Sequence, residues 1–239
     1  MDPPATRRLE ARYHQLWQAG RQALLNGSIT TDPPPVPGDT RWGLSAVLRP
    51  RRWPAAVTAG LQALHDRLAG QALVYDSPHL HLTLASLEAY RAPVPPDDAA
   101  LRAYVRALDK VSRCCPPLRV RLRGLNATAG GVLLQGWPEF DLQGLRQDLG
   151  DAVAQARRDE GLPPRGAAPL RDTAHVSLTV FVGPLSDVPS LVAHIEGHRR
   201  ADWGTLECDT LSLVQYTRGP RSVVLTTLAE AGGGSPGAE

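Results

Sequence analysis

Apolar and polar positions divide the chain into a leading helix, a proline-rich stretch and a long body of mixed elements. Between residues 5 and 25, Leu9, Tyr13, Leu16, Trp17 and Leu24 recur on one face at helical spacing, which predicts an amphipathic helix. From Asn26 to Asp39 the pattern lapses, and Pro33-Pro34-Pro35 and Pro37 forbid regular structure. Residues 1–39 are thus expected to form an extension packed onto the main body.

The body, residues 40–230, repeats one rhythm in two halves, about 40–115 and 116–230. In the first half, Trp42 to Leu48 reads as a strand, and Pro54 opens a helix striped by Val57, Leu61, Leu64 and Leu68. Ala72 to Tyr75 and Leu80 to Leu87 read as strands. Pro95-Pro96-Asp97 then starts a helix facing inward through Leu101, Tyr104, Val105, Leu108 and Val111. In the second half, Leu118 to Leu125 and Gly131 to Gln135 predict a hairpin, with Ala129-Gly130-Gly131 at its turn. Asp141 caps a helix bearing Leu142, Leu145, Leu149 and Val153. A Pro/Gly-rich loop fills residues 161–173 before a strand from Ala174 to Val182. A short helix at residues 190–198 and strands at 205–215 and 222–228 follow, and the tail from Ala231 is expected to be disordered.

Composition narrows the picture only a little. The chain has 239 residues, enough for one large domain or two lobes, and its formal net charge of +2 is too small to imply a nucleic-acid coat. Lys110 is the only lysine, and the surplus of Ala, Pro and Gly attributes the arginines to a GC-biased genome. Cys114, Cys115 and Cys208 lack metal-site spacing and are odd in number, which predicts a reduced, intracellular protein. No apolar signal core or membrane-length run is present, so a cytoplasmic location without membrane partners is expected. Nothing in the sequence favours a particular oligomeric state.

Chemistry concentrates in two strings, His81-Leu82-Thr83 and His175-Val176-Ser177, 94 positions apart (175 − 81). On a strand, residues i and i+2 share a face, so each string sets an imidazole beside a hydroxyl. By the same parity His79, His81 and Thr83 oppose Leu80, Leu82 and Leu84, and His175, Ser177 and Thr179 oppose Val176, Leu178 and Val180. Either string alone is a common accident. Two copies, one per half and each on a predicted strand, point to one two-sided site. A pair of histidines can divide acid and base roles while hydroxyls hold a phosphate, and no metal or cofactor is required.

Here the chain resembles the 2H phosphoesterase superfamily, which includes the bacterial 2′-5′ RNA ligase-like proteins, on the strings His81-Leu82-Thr83-Leu84 and His175-Val176-Ser177-Leu178. The resemblance covers residues 40 to 229 in arrangement. It implies a two-lobed α+β fold with pseudo-twofold symmetry, antiparallel sheets with flanking helices, and a central cleft carrying both motifs. It implies catalytic His81 and His175, with Thr83 and Ser177 binding the phosphate. The expected substrates are nucleotides or RNA ends bearing a 2′,3′-cyclic phosphate or a 2′-5′ linkage, hydrolysed or joined without metal. The extension through Asp39 departs from the family's minimal plan and would cover or reshape the cleft.

Other residues allow further readings. His79 completes an H-x-H-x-T string, two thirds of a histidine-triad motif or a two-histidine metal site, but Thr83 replaces the third histidine and no acidic ligand lies near. His79 is therefore placed at the cleft edge. Arg171 could reach a phosphate from the rim, and Tyr75 and Tyr216 flank the motifs where a base could stack, packing in the core or on the surface being the favoured reading for both tyrosines. Arg49, Arg51 and Arg52 could hold an RNA backbone, the plainer reading being a solvated loop. His14, His65, His194 and His198 fall on predicted helices without partners. Two alternatives to the phosphoesterase remain open: a non-catalytic nucleotide- or RNA-binding module using the same cleft, and a metal-dependent hydrolase working through His79 and His81.

Overall fold

The computed structural model describes residues 3–91, 94–115, 117–164, 171–220 and 222–232. Among these, five helices occur: α1 (Pro3–Leu25), α2 (Ala55–Arg67), α3 (Ala99–Ser112), α4 (Leu142–Asp159) and α5 (Val188–Gly197). The strands are β1 (Ser45–Leu48), β2 (Ala72–Val74), β3 (Leu82–Ser86), β4 (Leu118–Thr128), β5 (Gly131–Pro138), β6 (Ala174–Ser177), β7 (Thr179–Phe181), β8 (Asp202–Cys208), β9 (Thr210–Arg218) and β10 (Val223–Gly232). Eight strands form one antiparallel sheet in the order β10-β9-β1-β3-β6-β5-β4-β8, and β2 pairs with β7 in a separate ribbon. The α+β class implied by the motifs is what the chain adopts.

Local chemistry accounts for most boundaries. Asp98, Asp141 and Asp187 cap α3, α4 and α5, each carboxylate accepting a backbone N–H of the first turn. Helices α3 and α4 pack together, α3 covering β9 and β10 while α4 reaches β3. Helix α1 lies on β4 and α5, burying Tyr13, Trp17 and Leu24. Gly20 permits this approach: a Cβ there would stand 2.1 Å from the Ala127 carbonyl oxygen.

Several expected boundaries shift. The single strand expected from Ala174 to Val182 breaks at Leu178, whose N–H bonds Val132, so β6 stays in the large sheet while β7 leaves to pair with β2. The strand expected at residues 205–215 is likewise two, β8 and β9, separated at Asp209. Ala231 and Gly232, expected in a disordered tail, continue β10 against Leu211 and Thr210. Residues 233–239 and the centre of the Pro/Gly-rich loop, 165–170, lie outside the described residues. Strand order also crosses the division expected near residue 115, because β9 and β10 from the second half extend the sheet beside β1 of the first.

The extension bridges the molecule. Beyond α1 its backbone bonds the β4–β5 turn through Thr30 N–H to Ala129, and β7 through Asp32 N–H to Phe181. It then reaches the other side, where Gly38 and Asp39 exchange backbone bonds with Tyr90. Midway, the buried Asp32 carboxylate accepts from Arg218 Nε (3.1 Å) and Trp42 Nε1 (3.3 Å), and pairs with Arg41. A charge so far from water persists because its donors are built in around it.

Candidate active site

Strands β3 and β6 are neighbours at the middle of the sheet, and their register sets Leu82 opposite Val176. In an antiparallel pair that register puts His81 opposite Ser177 and Thr83 opposite His175. Leu82 and Val176 are both fully buried in the core. Alternation therefore turns all four motif side chains to the other face, where Thr83, His175 and Ser177 are half-buried and His81 is 7% exposed. The two strings meet as one cluster.

Each imidazole is fixed at Nδ1. His81 Nδ1 lies 3.0 Å from the His79 carbonyl oxygen, which only accepts, so Nδ1 carries the proton and Nε2 keeps its lone pair. Tyr216 on β9 occupies that lone pair, its hydroxyl donating to Nε2 at 2.9 Å. The same hydroxyl is within hydrogen-bonding reach of the Ser45 and Thr83 hydroxyls. His175 Nδ1 faces the Thr173 hydroxyl at 3.0 Å.

Burial dominates the electrostatics. It pushes His81 down to about 4, with the Arg171 and Arg49 cations adding to the shift. It pushes His175 down to about 3, with Arg171, Arg146 and His81 itself acting in the same direction. That His81 is felt at His175 is a second sign of one shared site. The result is two neutral imidazoles in a field of arginines, ready for an anion.

Two residues outside the motifs hold these strands in place. Arg146 on α4 is 1% exposed and, among the described residues, has no carboxylate partner in contact. It donates instead to four carbonyls: Leu84 (3.1 Å) and Thr83 (3.0 Å) on β3, and Arg171 (2.6 Å) and Thr173 (2.9 Å) leading into β6. Tyr13 on α1 works from the other side, where its hydroxyl bonds the Ala174 carbonyl and accepts from Gly136 N–H at 3.2 Å. The residues just before His175 are thus clamped from both flanks. The sequence does not single out Arg146, although its place four residues after Leu142 and three before Leu149 sets an arginine within an apolar stripe.

The remaining expected residues fall out differently. His79 does not share the strand face of His81, because Ser77–His79 form a 3-10 turn in which Pro78 breaks the extension. Its Nδ1 accepts from Leu225 N–H at 3.3 Å, so the two rings do not converge on a common ligand. Thr179 also leaves the cleft, being buried with its hydroxyl accepting from Val132 N–H. Tyr75 is 6% exposed and stands edge-on to His81 with ring centroids 6.3 Å apart, which makes it a backing for the imidazole and no platform for a base. Tyr216 is buried too. Arg171 is exposed at the rim, 3.4 Å from the Ser86 hydroxyl, and its charge reaches both histidines. Among the described residues no group of three or more His, Cys, Asp or Glu side chains is gathered for a metal ion, and no helix is long and apolar enough to cross a membrane.

No protein-family model matches the chain, and no curated protein matches it in sequence. Solved structures do match in fold. TT0787 of Thermus thermophilus aligns with a TM-score of 0.57 at 20% identity, over 81% of this chain and 99% of that one. A phosphoesterase aligns at 0.50 and 16% identity, over 80% and 97%. E. coli LigT complexed with NADP+ aligns at 0.50 and 15% identity, over the same shares. The chain has the fold of these proteins.

Proposed function

We propose that the chain is a phosphoesterase that opens 2′,3′-cyclic phosphates or 2′-5′ linkages at nucleotide or RNA ends by two-histidine acid–base catalysis. The observation that carries this reading is the register of β3 on β6, which aligns two imidazoles and two hydroxyls on one face. LigT, which shares the fold, was crystallised with NADP+, in keeping with a ligand of nucleotide size.

On a cyclic phosphate, His81 is the base, because its Nε2 lone pair is already fixed by the bond from Nδ1 to His79. Nε2 exchanges the Tyr216 donor for water and takes its proton as the water oxygen bonds phosphorus, after which the charged ring donates back to the phenol. The bond from phosphorus to one ribose oxygen breaks, and His175, which takes up a proton with the phosphate anion bound, delivers it to that oxygen, leaving a free hydroxyl and a phosphate monoester. Thr83 and Ser177 donate to the non-bridging oxygens, and Arg171 offsets their charge from the rim. With a 5′-hydroxyl in place of water as the attacking group, the same steps would join two ends. This scheme asks for no metal ion.

The test is turnover of 2′,3′-cyclic nucleotides by His81→Ala and His175→Ala variants in EDTA. Each is expected to lose activity by at least about 100-fold, the lower end for general acid–base groups, with an unchanged circular dichroism spectrum. Full activity in either variant overturns the assignment. Tight binding of a 2′-phosphorylated ligand without turnover by the wild type would instead mark a binding module, and loss of wild-type turnover in EDTA would mark a metal enzyme.

A further inference from the structure

A second pair of histidines closes α5. His194 and His198 lie four residues apart on its last turn, and α5 packs on α1 and β4, while the histidine cleft is built on β3 and β6. That spacing puts both imidazoles on one helix face, and their ring centres are 4.5 Å apart. With metal–nitrogen bonds of about 2.0–2.1 Å, two imidazoles bound side by side to one ion have centres about 4.5–5 Å apart. The separation is the one a shared ion asks for.

The ring nitrogens are prepared as well. His198 Nδ1 lies 2.8 Å from the His194 carbonyl oxygen, which only accepts, so Nδ1 carries the proton and Nε2 keeps its lone pair. A backbone carbonyl on the other ring nitrogen is a common way for a metal-binding histidine to be oriented. His194 Nε2 is buried and, among the described residues, has no hydrogen-bond partner. A buried nitrogen in that state is costly unless something else meets its lone pair.

We propose that His194 and His198 hold one divalent transition-metal ion of the class that imidazole prefers, Zn²⁺, Ni²⁺ or Cu²⁺, through Nε2 of each ring, with water in the remaining positions. Two protein ligands make this an open site. Arg67 on α2 lies near enough for its charge to act on His194, although its guanidinium bonds the Ser190 hydroxyl. That charge weakens the hold on a cation and makes the ion exchangeable. The ion pins the end of α5, on which two other elements lean. Glu196 pairs with Arg21 of α1 at 2.8 Å, and the His198 carbonyl accepts the Leu125 N–H where the register of β4 shifts. It takes no part in the chemistry of the cleft.

Calorimetric titration of the full chain with Zn²⁺ and with Ni²⁺ tests the site. One equivalent of either ion is expected to bind, in the wild type and equally in Cys114→Ser, which lacks the exposed thiol. His194→Ala and His198→Ala should each lose that binding while keeping the circular dichroism spectrum of the wild type, and His65→Ala on α2 should retain it. In NMR spectra of the imidazole nitrogens, Zn²⁺ should move the ring signals of His194 and His198 and leave those of His81 and His175 in place, a readout that needs no variant. At about 100-fold excess over its dissociation constant the ion should raise the melting temperature by about 5–10 °C. Absence of binding overturns the proposal, as does binding that survives both alanine substitutions or vanishes in Cys114→Ser. Shifts at His81 and His175 in place of His194 and His198 overturn it too, and an unmoved melting temperature overturns the pinning of α5.

Discussion

Nδ1 of both motif histidines is taken, by the His79 carbonyl and by the Thr173 hydroxyl, so the chemistry falls to Nε2. At His81 that atom already has a partner in Tyr216, which has further hydroxyls, Ser45 and Thr83, within reach. The phenol can therefore donate to a neutral His81 and, once the ring is charged, accept from it while turning its own proton toward a neighbour. It keeps the imidazole in place through the whole proton cycle, which makes it a positioning residue. Tyr216→Phe is expected to slow turnover about tenfold, the value of one neutral hydrogen bond, and to raise the His81 pKa, since the O–H that favours the neutral ring is gone. Titration of the ring by NMR reads that shift, and an unmoved pKa would reduce Tyr216 to packing. The depressed values, about 4 and about 3, have a kinetic consequence as well. At pH 7 both rings of the free site are neutral, while the acid step needs one of them charged. kcat/KM, which follows the free enzyme, should climb as pH falls from 8 to 5, and kcat should level off earlier because a bound phosphate anion raises both imidazoles. A kcat/KM that declines over that interval would mean that one ring is already charged.

The elements owe their placement to a few long side chains acting on backbone. Arg146 joins β3 to the approach of β6 by donating to four carbonyls, a geometry that a planar fork can meet and an ammonium cannot. Arg146→Lys is expected to lower stability by roughly 2 kcal/mol, since several buried acceptors lose their donor, and to reduce turnover with it. Chemical denaturation measures the first effect, and an unchanged midpoint would show that water replaces the lost donors. Tyr13 does the same from α1, a helix whose amphipathic pattern was plain while its hydroxyl's destination was not. This contrast is general here. Helices with capped starts and apolar stripes, the hairpin and both histidine strings were legible because their signals are local in sequence. The break at Leu178, the turn under His79 and the carbonyl clamp were not, because each depends on partners at other places in the chain. Tyr75 shows the limit at a site: its packing was the favoured reading, while its place edge-on behind His81 was not legible.

For the molecule as a whole, the two neutral histidines tie stability to acidity. Their folded-state values lie below the unfolded value of about 6.5. Below pH 6.5 the unfolded chain binds protons that the folded one refuses, so stability present above that pH is lost as pH falls toward 4 and 3. Each histidine contributes up to about 1.4 kcal/mol per pH unit. The melting temperature should accordingly drop by several degrees from pH 7 to pH 5, at about 2–4 °C per kcal/mol for a chain of this length. A His81→Asn/His175→Asn double variant should show a shallower decline, and equal slopes would remove these residues from the account. The strand order adds a consequence in time. His81 and the hydroxyl that steadies it are 135 residues apart, and β9, which bears Tyr216, is also the strand that completes the sheet beside β1. A nascent chain exposes His81 long before β9 has been made, so the edge of β1 waits unpaired and the first histidine waits without its phenol. During synthesis the site therefore stays incomplete until β9 has emerged.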